Sequence, residues 1–509
     1  MDAAVEPRTP LAVPVERPVV RVPDLRARVE GAVTGSVDAV LACFPGEALP
    51  TSAAEFQRLE EALVATAHRE VVGPVLSVVL HAINENTEFA RWSVRAAQAR
   101  SRDLVSLGGK PVTIRVAGGT RVSLTTPALE SRPRGKPGPK RANGRRGKGG
   151  GGLYAVLACL GFVSRCSPYV ASRVARVAAT VDSYAEAREA LRAESIDLNV
   201  KTVCSLVSRV GDACLIDREG EGRTGKTAET LAGKRVMVGI DGGRLRYRLD
   251  KPGRRLSSGR HGFEAPWREP KILTIYTFDA NGKKERRQRP IYEGTLAPWE
   301  DAADLIARTL RRYGAERAKL VVFAADGSEN IWRHVDGICK AAGLDPAKVT
   351  SLVDFYHAVE HLSDAAKLVP GWSDEQRQRW VTRNASLLKR GGVETVAAAI
   401  EQFTVADRDA LTKEVEYFRL RAGRMRYDVF KRQGIPLGTG AVESTIRRVV
   451  NLRLKSTGTF WTPECAERML VLRCRLKAGR WDEVEAAVHN SALLPARIQQ
   501  PQILARLLA

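Results

Sequence analysis

The sequence predicts an α/β protein in which helices cover a mixed sheet, an all-helical stretch interrupts it, and a mainly helical region precedes it. Three observations carry that prediction. Strand-like apolar runs gather between residues 235 and 366; they first follow one another directly and then alternate with helix-period segments; and residues 367–434 hold a helical period almost throughout.

Taken in order, residues 1–23 are rich in Pro and Val and predict a disordered tail, without the basic-then-apolar order of a secretory leader. Residues 24–130 predict a mainly helical region with one hairpin. Phe56, Leu59, Leu63 and Ala67 fall on one helical face, with Phe89 and Trp92 further on. The alternation over 110–125 then predicts two strands turning at Gly118-Gly119. Residues 131–152 are Arg, Lys, Gly and Pro with almost nothing to bury, a basic linker that suits either a solvated spacer or a contact with phosphates. Within 153–215, a helix over 184–191, a break at 195–199 and a second helix over 200–210 place Val203, Leu206 and Val207 inward, with Lys201, Ser205 and Arg209 outward. An ordinary helical hairpin and a DNA-reading helix-turn-helix share that pattern.

A polar linker over 216–234 leads into a core over 235–366. Strands are expected at 236–240, 245–249 and 272–278, followed by a helix at 299–313, a strand at 320–324, a helix at 330–342 and a strand at 349–353. The helical insertion over 367–434 comes next, core structure resumes over 435–484, and 485–509 is a tail.

Charge narrows the function. Lys and Arg number 81 against 58 Asp and Glu, a net charge of +23, so a polyanion, and nucleic acid first, is the expected partner. No run of about 18 apolar residues suggests a membrane span, and a cytoplasmic location, nucleoid-associated when DNA is bound, is expected. The 8 cysteines contain no C-x-x-C pair, which argues against a disulfide framework and a cysteine zinc ribbon.

Two acids sit where chemistry is plausible. Asp241 ends an apolar run in Gly239-Ile240-Asp241-Gly242-Gly243, and Asp326 does the same in Phe323-Ala324-Ala325-Asp326-Gly327. One such acid is usually a turn residue; two on neighbouring strands begin to form a site for a hard cation such as Mg²⁺ or Mn²⁺. Glu443, in Gly438-Thr439-Gly440-Ala441-Val442-Glu443-Ser444, opens a helix-period segment and shares a face with Arg447; helix capping is its plainer role. Arg448, Arg453 and Lys455 add charge that a phosphate backbone could use, and Trp461 beside them could stack on a base or pack in the core. The other tryptophans, Trp267, Trp299, Trp372 and Trp380, are more simply read as core.

Together these fragments resemble the DDE-type insertion-sequence transposases, in particular the Kra-like branch. The resemblance covers about 153–484. It rests on Asp241-Gly-Gly, Asp326-Gly-Ser, Asp354-Phe355-Tyr356-His357-Ala358-Val359-Glu360-His361-Leu362, the Gly-Thr-Gly-Ala-Val-Glu443-Ser segment, Arg453-Leu454-Lys455, Trp461 and Met469-Leu470-Val471-Leu472-Arg473. It implies a ribonuclease-H-like core with a helical insertion before the last acid, and two divalent metals held by Asp241, Asp326 and Glu443, with Asp241 bridging. The implied reaction is cleavage and strand transfer at the ends of the protein's own element, in a homodimer or larger assembly on double-stranded end and target DNA. Asp354 and His357 would support the site, and Asp354 is the alternative second acid. Relatives often carry Cys pairs near the position of 112–126; this chain has none, so zinc is not carried over. A catalytically inactive DNA-binding derivative is the alternative reading, and a nuclease without strand transfer a third.

Two literal motifs conflict with this picture. Gly220 to Thr227 matches the P-loop pattern, but no apolar strand precedes it and barely one helical turn follows. His357-Ala358-Val359-Glu360-His361 matches the inverted zinc-protease motif, which would leave Asp241 and Glu443 without roles.

Overall fold

The computed structural model describes residues 16–44, 50, 52–101, 104–131, 152–220, 230–248, 252–255, 257, 261–438, 440–455, 459–491 and 501–508. Nearly all of the basic linker, the tail before residue 16 and the P-loop-like segment from 221 lie outside them. The chain divides into two compact units, Met1–Arg218 with Asp482–Gln502, and Glu219–Trp481 with Ile503–Ala509.

In the first unit, helices Leu25–Val33, Ser36–Leu41, Ala53–Ala67, Gly73–Glu85 and Thr87–Arg100 precede a long antiparallel hairpin, Leu104–Arg115 with Arg121–Ser131. Its turn contains Gly118 and Gly119, both at positive φ (70° and 73°), a conformation that glycine adopts without a Cβ clash. Alternate residues Val112, Ile114 and Val116 face Val122, Leu124, Leu80 and Leu157 in a small core. The expected Phe56 face is corrected: Phe56 is 53% exposed, and the apolar burial falls further on, at Leu80, Ala82 and Phe89. A π-turn, His68–Val72, joins two of these helices without a break, so Glu55–Glu85 is 31 residues of helix, long and apolar enough to cross a membrane by length and composition. Helices Tyr184–Ala193 and Val200–Glu219 flank a turn in which Ser195 has φ 60°. The second runs well past residue 210 because Ala213, Cys214 and Leu215 continue its buried face.

The second unit holds the sheet. Its strands are β1 (Arg235–Gly242), β2 (Lys271–Phe278), β3 (Ile291–Thr295), β4 (Leu320–Ala325) and β5 (Val349–Val353), ordered β3-β2-β1-β4-β5. β2 is antiparallel to both β1 and β3, while β4 runs parallel to β1 and β5 parallel to β4. Helix α1 (Trp299–Arg312) makes the crossover from β3 to β4, and α2 (Glu329–Ala342) the one from β4 to β5. Acids open α1 (Glu300, Asp301) and bases close it (Arg311, Arg312), as its dipole favours; Gly343, at φ 69°, ends α2. Val236, Val238, Ile240, Ile275 and Phe323 lie buried between these layers. This α/β order with a five-stranded mixed sheet is compatible with the expected ribonuclease-H-like core.

Two strand assignments change. The run expected over 245–249 contributes only Leu245–Arg246, which pairs with Trp267–Arg268 in a separate ribbon rather than in the main sheet. The third strand of the sheet is β3, Ile-Tyr-Glu-Gly-Thr, hidden from a hydropathy reading by Glu293 and Gly294. Glu293 is tolerated there because Arg475 lies 2.6 Å from it, both side chains 3% exposed. After β5 come α3 (Phe355–Lys367), α4 (Asp374–Lys389), α5 (Val393–Glu401), α6 (Arg408–Arg421) and α7 (Tyr427–Arg432), followed by α8 (Gly440–Ile446) and α9 (Pro463–Lys477).

Candidate active site

The register of the parallel strands lines up acids. Gly239 pairs with Ala324, so continuing two residues along both strands sets Asp241 beside Asp326. Ala325 pairs with Val353, so one further step sets Asp326 beside Asp354. Neighbouring strands lie about 4.8 Å apart, and three acids thus stand in a row at the carboxyl ends of β1, β4 and β5, where open α/β sheets bind ligands.

Each acid is held differently. Asp241 Oδ1 accepts the Gly242 N–H at 2.6 Å, and Asp326 Oδ1 the Ser328 N–H at 2.9 Å. Asp354 is fully buried and caps α3, accepting from Tyr356 N at 2.6 Å and His357 N at 3.1 Å, while its own N–H donates to Ala325 O at 2.9 Å. With an oxygen committed to the helix start, Asp354 anchors the row rather than offering a free carboxylate.

Glu443 reaches this row through glycine. Gly239 and Asp241, two residues apart, share a face of β1, and a Cβ on Gly239 would overlap Val442 Cγ2. Its absence lets α8 rest directly on the strand, carrying the exposed Glu443 beside the buried Val442. Burial, opposed by the Gly242 N–H and reinforced by Asp326 and Glu443 despite His357, pushes the Asp241 carboxyl up to about 6. Those couplings place Asp241, Asp326, Glu443 and His357 in one electrostatic neighbourhood. For His357 burial works against the charge, but Glu360, Asp354 and Asp326 outweigh it and its pKa is raised. Among the described residues, no three His, Cys, Asp or Glu side chains stand close enough to share an ion. The acids share a field, and carboxylate oxygens are the donors that a hard divalent cation takes, but as placed they do not surround one.

Helices α2, α6 and α7 hold the same edge. Arg421 on α6 donates from Nε to Gly327 O at 2.7 Å, and a Cβ on Gly327 would overlap Tyr417. Trp332 Nε1 donates to Asp326 O at 2.7 Å, and Tyr427 OH to Val353 O at 3.0 Å. Sequence reading missed Arg421, Tyr417, Trp332 and Val442, for which no local signal exists. Gly239 inside a strand was the one legible sign of close approach. It also missed Glu269, whose carboxylate occupies the space where a Cβ on Gly242 would stand.

The expected DNA contacts divide. Lys201, Arg447 and Lys455 are exposed; Arg209 is half-buried; Arg448 donates to Tyr292 OH at 2.8 Å. Arg453 and Trp461 are a correction. They are 2% and 5% exposed, with the guanidinium 4.8 Å from the ring centre, and a pair packed together inside the unit has no surface to offer a duplex. Arg473, also buried, donates to Val449 O at 2.6 Å and to Arg448 O. The protease-like motif separates into His357 on Glu360 and His361 on Glu414, each at 2.8 Å, with no shared metal position. Gly220 follows a helix, not the strand a P-loop requires.

Fold and site define an α/β protein with a row of carboxylates at the ends of its parallel strands. No family model and no curated protein matches the chain. Among solved structures it is similar to one titled Drosophila P element transposase strand transfer complex, at 10% identity and a TM-score of 0.23, over 67% of this chain and 90% of that chain; a likeness so slight carries no argument.

Proposed function

We propose that the protein is a DNA transposase of the DDE type, cutting and joining DNA with two divalent metals held by Asp241, Asp326 and Glu443. The observation that carries this reading is the register that sets Asp241 beside Asp326, with Glu443 brought into their field by the contact of Val442 with Gly239. Asp241, central to the field and raised to about 6, would be shared between the two cations, whose charge would offset the burial and repulsion acting on its carboxylate. When bound, the metals supply an activated water or 3′-hydroxyl and stabilise the leaving oxygen. Asp354 and His357 position the row, and the excess of 23 positive charges draws in double-stranded DNA. Acting on two ends together would take at least a dimer.

A second reading, a DNA-binding protein without catalysis, is favoured by the acids not closing on one ion. One experiment separates them. Duplexes from the DNA flanking the coding region are incubated with Mg²⁺ or Mn²⁺ and the wild type, Asp241→Ala, Asp326→Ala or Glu443→Gln. The proposal expects nicked and joined products from the wild type and a loss of at least about a hundredfold in each variant. Equal activity in wild type and Asp241→Ala rejects the metal site; DNA binding without cleavage selects the second reading, and nicks without joined products a plain nuclease.

A further inference from the structure

We propose that the strand leaving the candidate active site binds a single DNA strand, with Arg244 and Arg246 on its phosphates and Trp267 under an unpaired base. The inference rests on the reading that this protein acts on DNA. It rests separately on a surface that reading did not use.

Arg244 lies three positions past Asp241, so their Cα atoms are within about 11 Å of each other. Beyond that point the chain alternates strictly. Leu245 and Tyr247 are buried, while Arg244, Arg246 and Arg248 are exposed. Both edges of the segment are already paired. Leu245 and Arg246 pair with Arg268 and Trp267, and Tyr247 N donates to Pro266 O at 3.0 Å. On the other edge Arg248 N donates to Trp461 O at 2.8 Å, and Trp461 N to Arg246 O at 3.3 Å. No further strand can add there, and what remains for a partner is the outward face.

That face has the chemistry of a single-strand platform. Trp267 lies directly opposite Arg246, with the guanidinium 4.6 Å from its ring centre, and is 47% exposed. The same pairing occurs on the buried side in Arg453 and Trp461, so the protein places one Arg–Trp pair in its interior and leaves the other bare. Arg268, opposite the buried Leu245, belongs to the other face; of the nearby acids, Glu264 is exposed and Glu269 turns over Gly242. Arginines track phosphates of any sequence, and an indole accepts any base, but only a base freed from the duplex stack offers its face. Beside a cleavage site, that is the frayed end of a cut strand.

The test uses the full-length protein in EDTA with a labelled oligodeoxythymidine and a labelled duplex of equal length, read by fluorescence anisotropy. Trp267→Ala is expected to weaken the single strand about 5- to 150-fold while duplex affinity stays within about threefold, and Trp267→Phe to restore most of the loss. The double Arg244→Ala, Arg246→Ala should flatten the log-affinity against log-salt slope for the single strand by about 1.4. A matched double at the exposed Arg379 and Arg383 should leave it steeper. Unchanged single-strand affinity in Trp267→Ala, an equal loss on both DNAs, or equal flattening by the two doubles overturns the proposal. Metal-free binding is independent of cleavage, so a failure here is distinct from a failure of the catalytic reading.

Discussion

Asp241 sets the energetic problem at the scale of a single residue. Its carboxyl is raised to about 6 from an ordinary 3.8, chiefly by burial and then by neighbouring carboxylates. An acid shifted this way holds its proton more tightly when folded. The stability it permits is complete below about pH 4 and is lost as the pH climbs through 6, about 3 kcal/mol over the window. Asp241→Asn, permanently neutral, is therefore expected to be more stable than the metal-free wild type, with an advantage that grows from pH 5 to pH 8. Urea midpoints at both values measure this, and an advantage independent of pH would remove the explanation. On the proposed reading the same substitution is expected to abolish cleavage as well, so stability and activity would move in opposite directions.

Among elements, the decisive contact is α8 on β1. It exists because Gly239 has no side chain where Val442 packs. Gly239→Ala is expected to lift α8, costing about 1–3 kcal/mol and, in the proposed reaction, more activity than the stability loss explains. Adding Val442→Ala should recover much of both, as read by denaturation and DNA cleavage; a double variant no better than the single one would place the fault elsewhere. Legibility differs by element for the same reason. β1, β4, β5 and both crossover helices followed from local period, since a strand buried on two faces or a helix buried on one shows its burial in its own residues. β3 did not, because its burial depends on Arg475 neutralising Glu293 from α9, far along the chain. The short Leu245–Arg246 strand misled for the opposite reason, its alternation being genuine but serving a ribbon outside the sheet.

Over the whole molecule, positive charge is divided between surface and interior. Arg453, Arg473, Arg475 and Arg480 are buried, so the net charge of +23 overstates what a polyanion could meet at the surface and understates what the core must neutralise. Glu293→Gln should remove the buried carboxylate 2.6 Å from Arg475 and cost about 3–5 kcal/mol in urea unfolding, unlike substitution of the exposed Arg26–Glu30 pair, worth under about 1 kcal/mol. An equal cost at both sites would mean the interior pair carries no special weight.

By itself the sequence determined the basic character, the helix and strand alternation, and the position of two acids at strand ends, since these properties depend on residues close together along the chain. Tertiary structure decided which groups meet. It put Asp354 in line with Asp326, brought Val442 onto Gly239, drew Arg453 and Trp461 inside and left Arg246 and Trp267 outside. Period marks one side of an element as buried, but only packing against distant partners decides which arginine faces water and which carboxylates share a field.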